Sequence, residues 1–101
     1  MRFDDNLRVV EKDGKVRLTI RVSDRSADSW IISPKAFKAM GNGWQDTSGT
    51  TIKDGGTEIF IQSKQVDMPS GYVRISICQD TGPIREYRVL ADDLRQLFAD
   101  Q

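Results

Sequence analysis

The side chains best suited to act on another molecule are Arg8, Arg17, Arg21, Arg74 and Arg88, with Tyr72 close to the fourth of them. A guanidinium fork pairs with phosphate or carboxylate, and an aromatic ring offers a face for stacking. Lys15 and Ser76 fall at neighbouring alternate positions, with Glu11 and Glu86 as the nearby acids. Asp24, Asp28, Asp54, Asp80, Asp92 and Asp93 belong instead to turns and the last helix. Arginines and a tyrosine on a strand face match what binds single-stranded nucleic acid, by phosphate pairing and base stacking. The other use of such arginines is cross-strand pairing with acids on a solvated face.

Other chemistries lack their residues. The 101-residue chain has no histidine, so it has no Ser-His-Asp triad, no imidazole base and no ordinary zinc or copper site. A lone Cys78 excludes an internal disulfide and a multi-thiolate metal site. Gly41-Asn42-Gly43 and Lys53-Asp54-Gly55-Gly56 lack the spacing of a phosphate-binding loop and read as turns. Asp92-Asp93 reads as the acidic first turn of a helix rather than a metal pair, since helical neighbours diverge by about 100°. No carboxylate pair stands out for acid–base work. A non-enzymatic protein without cofactor is therefore expected.

Fifteen basic and 15 acidic residues cancel, so an anionic partner would have to be drawn by a local patch. No run approaches the roughly 20 apolar residues of a spanning helix. The Met1-Arg2-Phe3-Asp4-Asp5 start carries acids where a signal peptide needs a basic segment and an apolar run. A cytoplasmic protein with no membrane association is expected. Hydrophobic residues make up 38% of this single domain, a thin core for which a homodimer is expected to compensate.

Alternation supplies the elements. Leu7 to Glu11, the turn Asp13-Gly14 and Lys15 to Ser23 read as a hairpin, with Val16, Leu18, Ile20 and Val22 on one face. Ser29 to Ile32 is a short strand. Ser33-Pro34 opens a two-turn helix that Gly41 closes, Phe37 and Met40 pointing inward. A strand around Thr51-Ile52, then strands over Glu58 to Gln62, Gly71 to Cys78 and Ile84 to Leu90, lead to a helix over Ala91 to Ala99. Leu90, Leu94, Leu97 and Phe98 make its apolar stripe. Shifting the chain by 57 lays Val16 to Met40 over Val73 to Leu97, with Val, Arg and Ile identical at Val16, Arg17 and Ile20, and Trp30 over Tyr87. This suggests two strand–strand–strand–helix repeats, about 6–41 and 57–99, joined by a Gly-rich segment 42–56. The fold class is α+β: a curved antiparallel sheet with two short helices on one face.

The run Val73-Arg74-Ile75-Ser76-Ile77, a polar turn and Tyr87 to Phe98 resembles the end of a Pur-alpha-type repeat. It is similar also to the matching part of the Whirly and transcriptional positive-cofactor-four proteins. The resemblance implies a sheet that binds single-stranded DNA or RNA, with Arg17, Arg21 and Arg74 on its binding face.

Trp44, in Gly41-Asn42-Gly43-Trp44-Gln45-Asp46, has two readings. On a mobile loop its indole would stack on a base or anchor a protein partner; folded back, it would plug the edge of the core. Trp30 and Tyr87 are expected in the core, Phe60 in the core or a dimer interface, and Cys78 as a small filler. The leading expectation is a binding module for single-stranded nucleic acid using Arg8, Arg17, Arg21, Tyr72, Arg74 and Arg88. The alternative is a protein–protein or inhibitor module, such as a phage or mobile-element accessory protein, using the Gly-rich loop and Trp44.

Overall fold

In the computed structural model, which describes residues 7–63 and 71–99, β1 (Leu7–Lys12) and β2 (Lys15–Ser23) form the hairpin that Asp13-Gly14 dictates. Both turn residues are left-handed (φ 57° and 75°), and Lys12 faces Lys15 across the turn. β3 (Ser26–Ile32) pairs antiparallel with β2. Then come α1 (Pro34–Gly43), β4 (Thr50–Asp54), β5 (Thr57–Gln62), β6 (Tyr72–Gln79), β7 (Arg85–Leu90) and α2 (Ala91–Ala99).

The protein is α+β with antiparallel strands, and these divide into two sheets rather than forming one. The first has the order β1-β2-β3 and the second β4-β5-β6-β7. The Gly-rich segment is thus more than a joiner: its second half supplies β4, an edge strand paired to β5. Inner faces of both sheets and both helices share one core, including Leu18, Ile20, Phe37, Met40, Ile59, Ile75, Ile77 and Leu94. Helix α1 packs on β2 and β4, and α2 on β1 and β7, so each helix touches both sheets. Among the described residues no helix is long and apolar enough to cross a membrane.

The registers of the two sheets can be compared directly. Val16, Leu18 and Ile20 of β2 face Ile32, Trp30 and Asp28 of β3. Val73, Ile75 and Ile77 of β6 face Val89, Tyr87 and Arg85 of β7. Adding 57 to every member of the first set gives the second. The preceding strands follow another offset, since Ile20 faces Leu7 while Ile77 faces Ile59.

Local chemistry explains where the elements depart from expectation. Helix α1 starts as its sequence requires: the Ser33 hydroxyl accepts from the Ala36 N–H at 3.0 Å, Pro34 follows, and the Ser33 N–H is held by Asp54 on β4. It does not stop at Gly41 but runs on to Gly43. Gly41 serves close packing instead, since a Cβ there would meet the Phe98 ring of α2 at 2.9 Å. Thr50 Oγ donates to the Gly43 carbonyl, satisfying one acceptor at the helix end. Val22 is not on the inner face, because a register shift between Arg21 and Ser23 turns it outward, 45% exposed. Leu90 ends β7 on the outer side, so the inward residues of α2 are Leu94, with Leu97 and Phe98 packed beside it. Phe60 faces outward too, and its ring lies against Gly49.

Two glycines separate strain from crowding. Gly49 has φ 96°, and an added Cβ would stand 2.3 Å from Phe60; Gly55 has φ 61° with open space around it. Gly55→Ala should cost about 1–2 kcal/mol, the conformational term alone. Gly49→Ala should cost clearly more, adding the displacement of Phe60 to that term. Urea unfolding with unchanged m-values would check both.

Candidate functional site

Buried Val16, Leu18 and Ile20 fix which residues of the first sheet point to solvent. The outward set is Arg8, Val10 and Lys12 from β1, Lys15, Arg17, Thr19 and Arg21 from β2, and Ala27, Ser29 and Ile31 from β3. It contains five cations and no carboxylate. The outward face of the second sheet is mixed in sign, with Glu58 and Glu86 beside Tyr72, Arg74 and Arg88. Arg74 Nε is paired with Glu86 Oε2 at 2.6 Å. The six residues expected on one basic face are therefore shared between two sheets.

Four of the six meet again where the sheets adjoin. Arg8, Arg21 and Arg25, with Thr19, Asp24 and Ser26, line a depression of about 290 Å³. Next to it, Arg21, Asp24, Tyr72 and Arg88, with Val22 and Leu90, line a groove of about 340 Å³. Arg21 and Asp24 belong to both. The turn between β2 and β3 is fixed by its own polar atoms: Arg21 Nη1 donates to the Asp24 carbonyl at 3.3 Å, the Ser23 and Ser26 hydroxyls lie 2.8 Å apart, and the Arg25 N–H donates to Ser23 Oγ. Arg25 escaped sequence reasoning because a turn has no alternation to assign it to a face. Arg17 lies apart, in a third depression with Val10, Lys12, Asp13, Lys15 and Ile31.

A polar junction sets one sheet against the other. Asp28 of β3 accepts from Arg85 Nη2 at 2.8 Å and from the Tyr87 hydroxyl at 2.6 Å, both on β7. The Trp30 indole N–H donates to the same hydroxyl at 3.0 Å. Two of these contacts, Asp28 with Arg85 and Trp30 with Tyr87, join residues 57 apart. Tyr87 is buried as expected, while Trp30 is only half-buried, and the ring pair sits at the seam between sheets. Burial, and then the hydrogen bond to Asp28, push the Tyr87 phenol up to about 12.

Trp44 is not an exposed anchor. Extension of α1 through Gly43 places it at the helix C-cap, where it is 5% exposed within the core, with the Arg95 guanidinium 5.9 Å from its ring centre. Cys78 is partly exposed and directs its thiol to the carbonyls of Asp80 and Gly82. No known protein family, no curated protein and no solved structure matches this chain.

The Tyr87 shift predicts an alkaline dependence of stability. A phenol raised from 10 to about 12 contributes stability that is fully present below pH 10 and is lost as the pH climbs to 12. At neutral pH Tyr87→Phe should be less stable by about 1–3 kcal/mol, since Asp28 and Trp30 lose a partner. The gap should close between pH 10 and 12, as read by thermal melts of both proteins.

Proposed function

We propose that the protein is a non-catalytic binding module that takes a single-stranded nucleic acid through the two depressions sharing Arg21. The observation that carries this reading is the gathering of four guanidiniums, Arg8, Arg21, Arg25 and Arg88, around two contiguous hollows with Tyr72 on one wall. Guanidinium forks suit the diester backbone, and a half-exposed phenol at groove level suits an unpaired base. The pattern by which Val73–Ile77 and Tyr87–Phe98 resemble the end of a Pur-alpha-type repeat is in keeping with this reading. In this reading Arg17 and Arg74 are peripheral: Arg17 lies in another depression, and Arg74 is held by Glu86.

The protein-partner alternative based on Trp44 loses its anchor, because the indole is part of the core. The homodimer expected from the small core belongs to the proposed reading, and sedimentation at two loadings tests it through a concentration-dependent mass.

Fluorescence anisotropy with labelled single-stranded and duplex oligonucleotides at two salt concentrations tests the function. Single strands should bind more tightly than duplex, with log K falling against log salt at a slope of about −0.7 per phosphate engaged. Arg21→Glu should weaken binding at least about tenfold and flatten the slope, whereas Arg74→Glu should do less. Tyr72→Ala should cost about 1–3 kcal/mol for single strands and leave the slope unchanged. No binding at low salt would overturn the reading.

A further inference from the structure

The third depression has a different chemistry from the other two. Val10, Arg17 and Ile31 stand in one cross-strand row on the outward face of the first sheet, and Lys12 and Lys15 form the row beside it. Val10 is 48% and Ile31 50% exposed, a branched apolar pair flanking a guanidinium. Together these residues line a hollow of about 540 Å³, larger than either basic depression, with Asp13 of the turn as its one acid. No side-chain hydrogen bond or ion pair engages Lys12, Lys15 or Arg17 among the described residues.

We infer that this hollow is a docking site for an acidic protein segment carrying aliphatic side chains. Charge complementarity decides the sign of the occupant: three unpaired cations around one carboxylate call for anions. The apolar pair decides its class. Stacking of successive bases relies on aromatic rings, and no aromatic side chain lines this hollow, whose apolar residues, Val10 and Ile31, are branched aliphatics. Leucine-like side chains seated between them would remove apolar surface from water, while carboxylates at flanking positions reach Lys12, Lys15 and Arg17. The site is separate from the Arg21 groove. Arg21 is four residues along β2 from Arg17, about 13 Å at strand rise, so peptide and nucleic acid would occupy opposite ends of one face.

The test uses a labelled synthetic peptide alternating Glu and Leu, an all-Glu peptide of the same length and the full chain. The Glu–Leu peptide should bind saturably, at least tenfold more tightly than the all-Glu peptide. Val10→Ser combined with Ile31→Ser should reduce it to the all-Glu level while the protein still melts cooperatively, and Arg17→Glu, at an exposed position, should also abolish it. Arg21→Glu should leave peptide binding intact. Absence of saturable binding, equal binding of the two peptides, or wild-type affinity in the serine double variant would each overturn the assignment. So would displacement of the peptide by a single-stranded oligonucleotide whose own affinity falls in that double variant, because the hollow would then belong to the nucleic-acid path.

Discussion

One hydrogen-bonded network, built on Asp28 and Tyr87, makes the polar contact between β3 and β7. Asp28 accepts from Arg85 and Tyr87, and the Tyr87 oxygen in turn accepts from the Trp30 indole N–H, so four side chains close one network between β3 and β7. No backbone ladder joins these strands, and their relation rests on this network and on the shared core. Tyr87 is the residue before Arg88, so fixing the one places the other in the groove shared with Arg21 of β2 and Asp24 of the β2–β3 turn. Hydrogen bonds of this kind, partly open to solvent, act more on geometry than on net stability, because much of their gross strength replaces bonds to water.

The helices brace the same relation from within. Each packs on strands of both sheets, and they touch each other where the Phe37 and Phe98 rings lie 4.9 Å apart between centres. Gly41 allows that approach by presenting no side chain to Phe98. The Ser33 N–H bond to Asp54 ties the start of α1 to the edge strand β4. Relative motion of the sheets would therefore disturb the helix pair, the cap and the Asp28 network together.

Much of this was legible in the sequence where one local rule governed. Period-2 alternation located β2, β6 and β7 to within about a residue, Asp13-Gly14 specified the hairpin, and Ser33-Pro34 marked the start of α1. What was not legible depended on distant partners. Gly41 looks like a stop signal until Phe98 is seen against it, and Trp44 stays open between a loop anchor and a core plug until the helix is known to carry it inward. Two sheets instead of one follow from side chains at the β3–β7 seam, which alternation along a strand does not encode. The arginines were found by type, but their division between the sheets is a property of register. Arg25 belonged to a turn with no pattern to read.

The irregularity between Arg21 and Ser23 makes the groove sensitive to chain length as well as to residue identity. Regular pleating would send Arg21 and Val22 to opposite sides of the sheet; the bulge lets both line one groove. Side-chain parity along β2 is thus reset within a single step, much as a frameshift resets a message. Removing one residue there would keep nearly every side chain of the protein and still rewrite which of them the groove displays. Length changes at this turn are therefore a route by which such a surface could change its ligand while its core stayed intact.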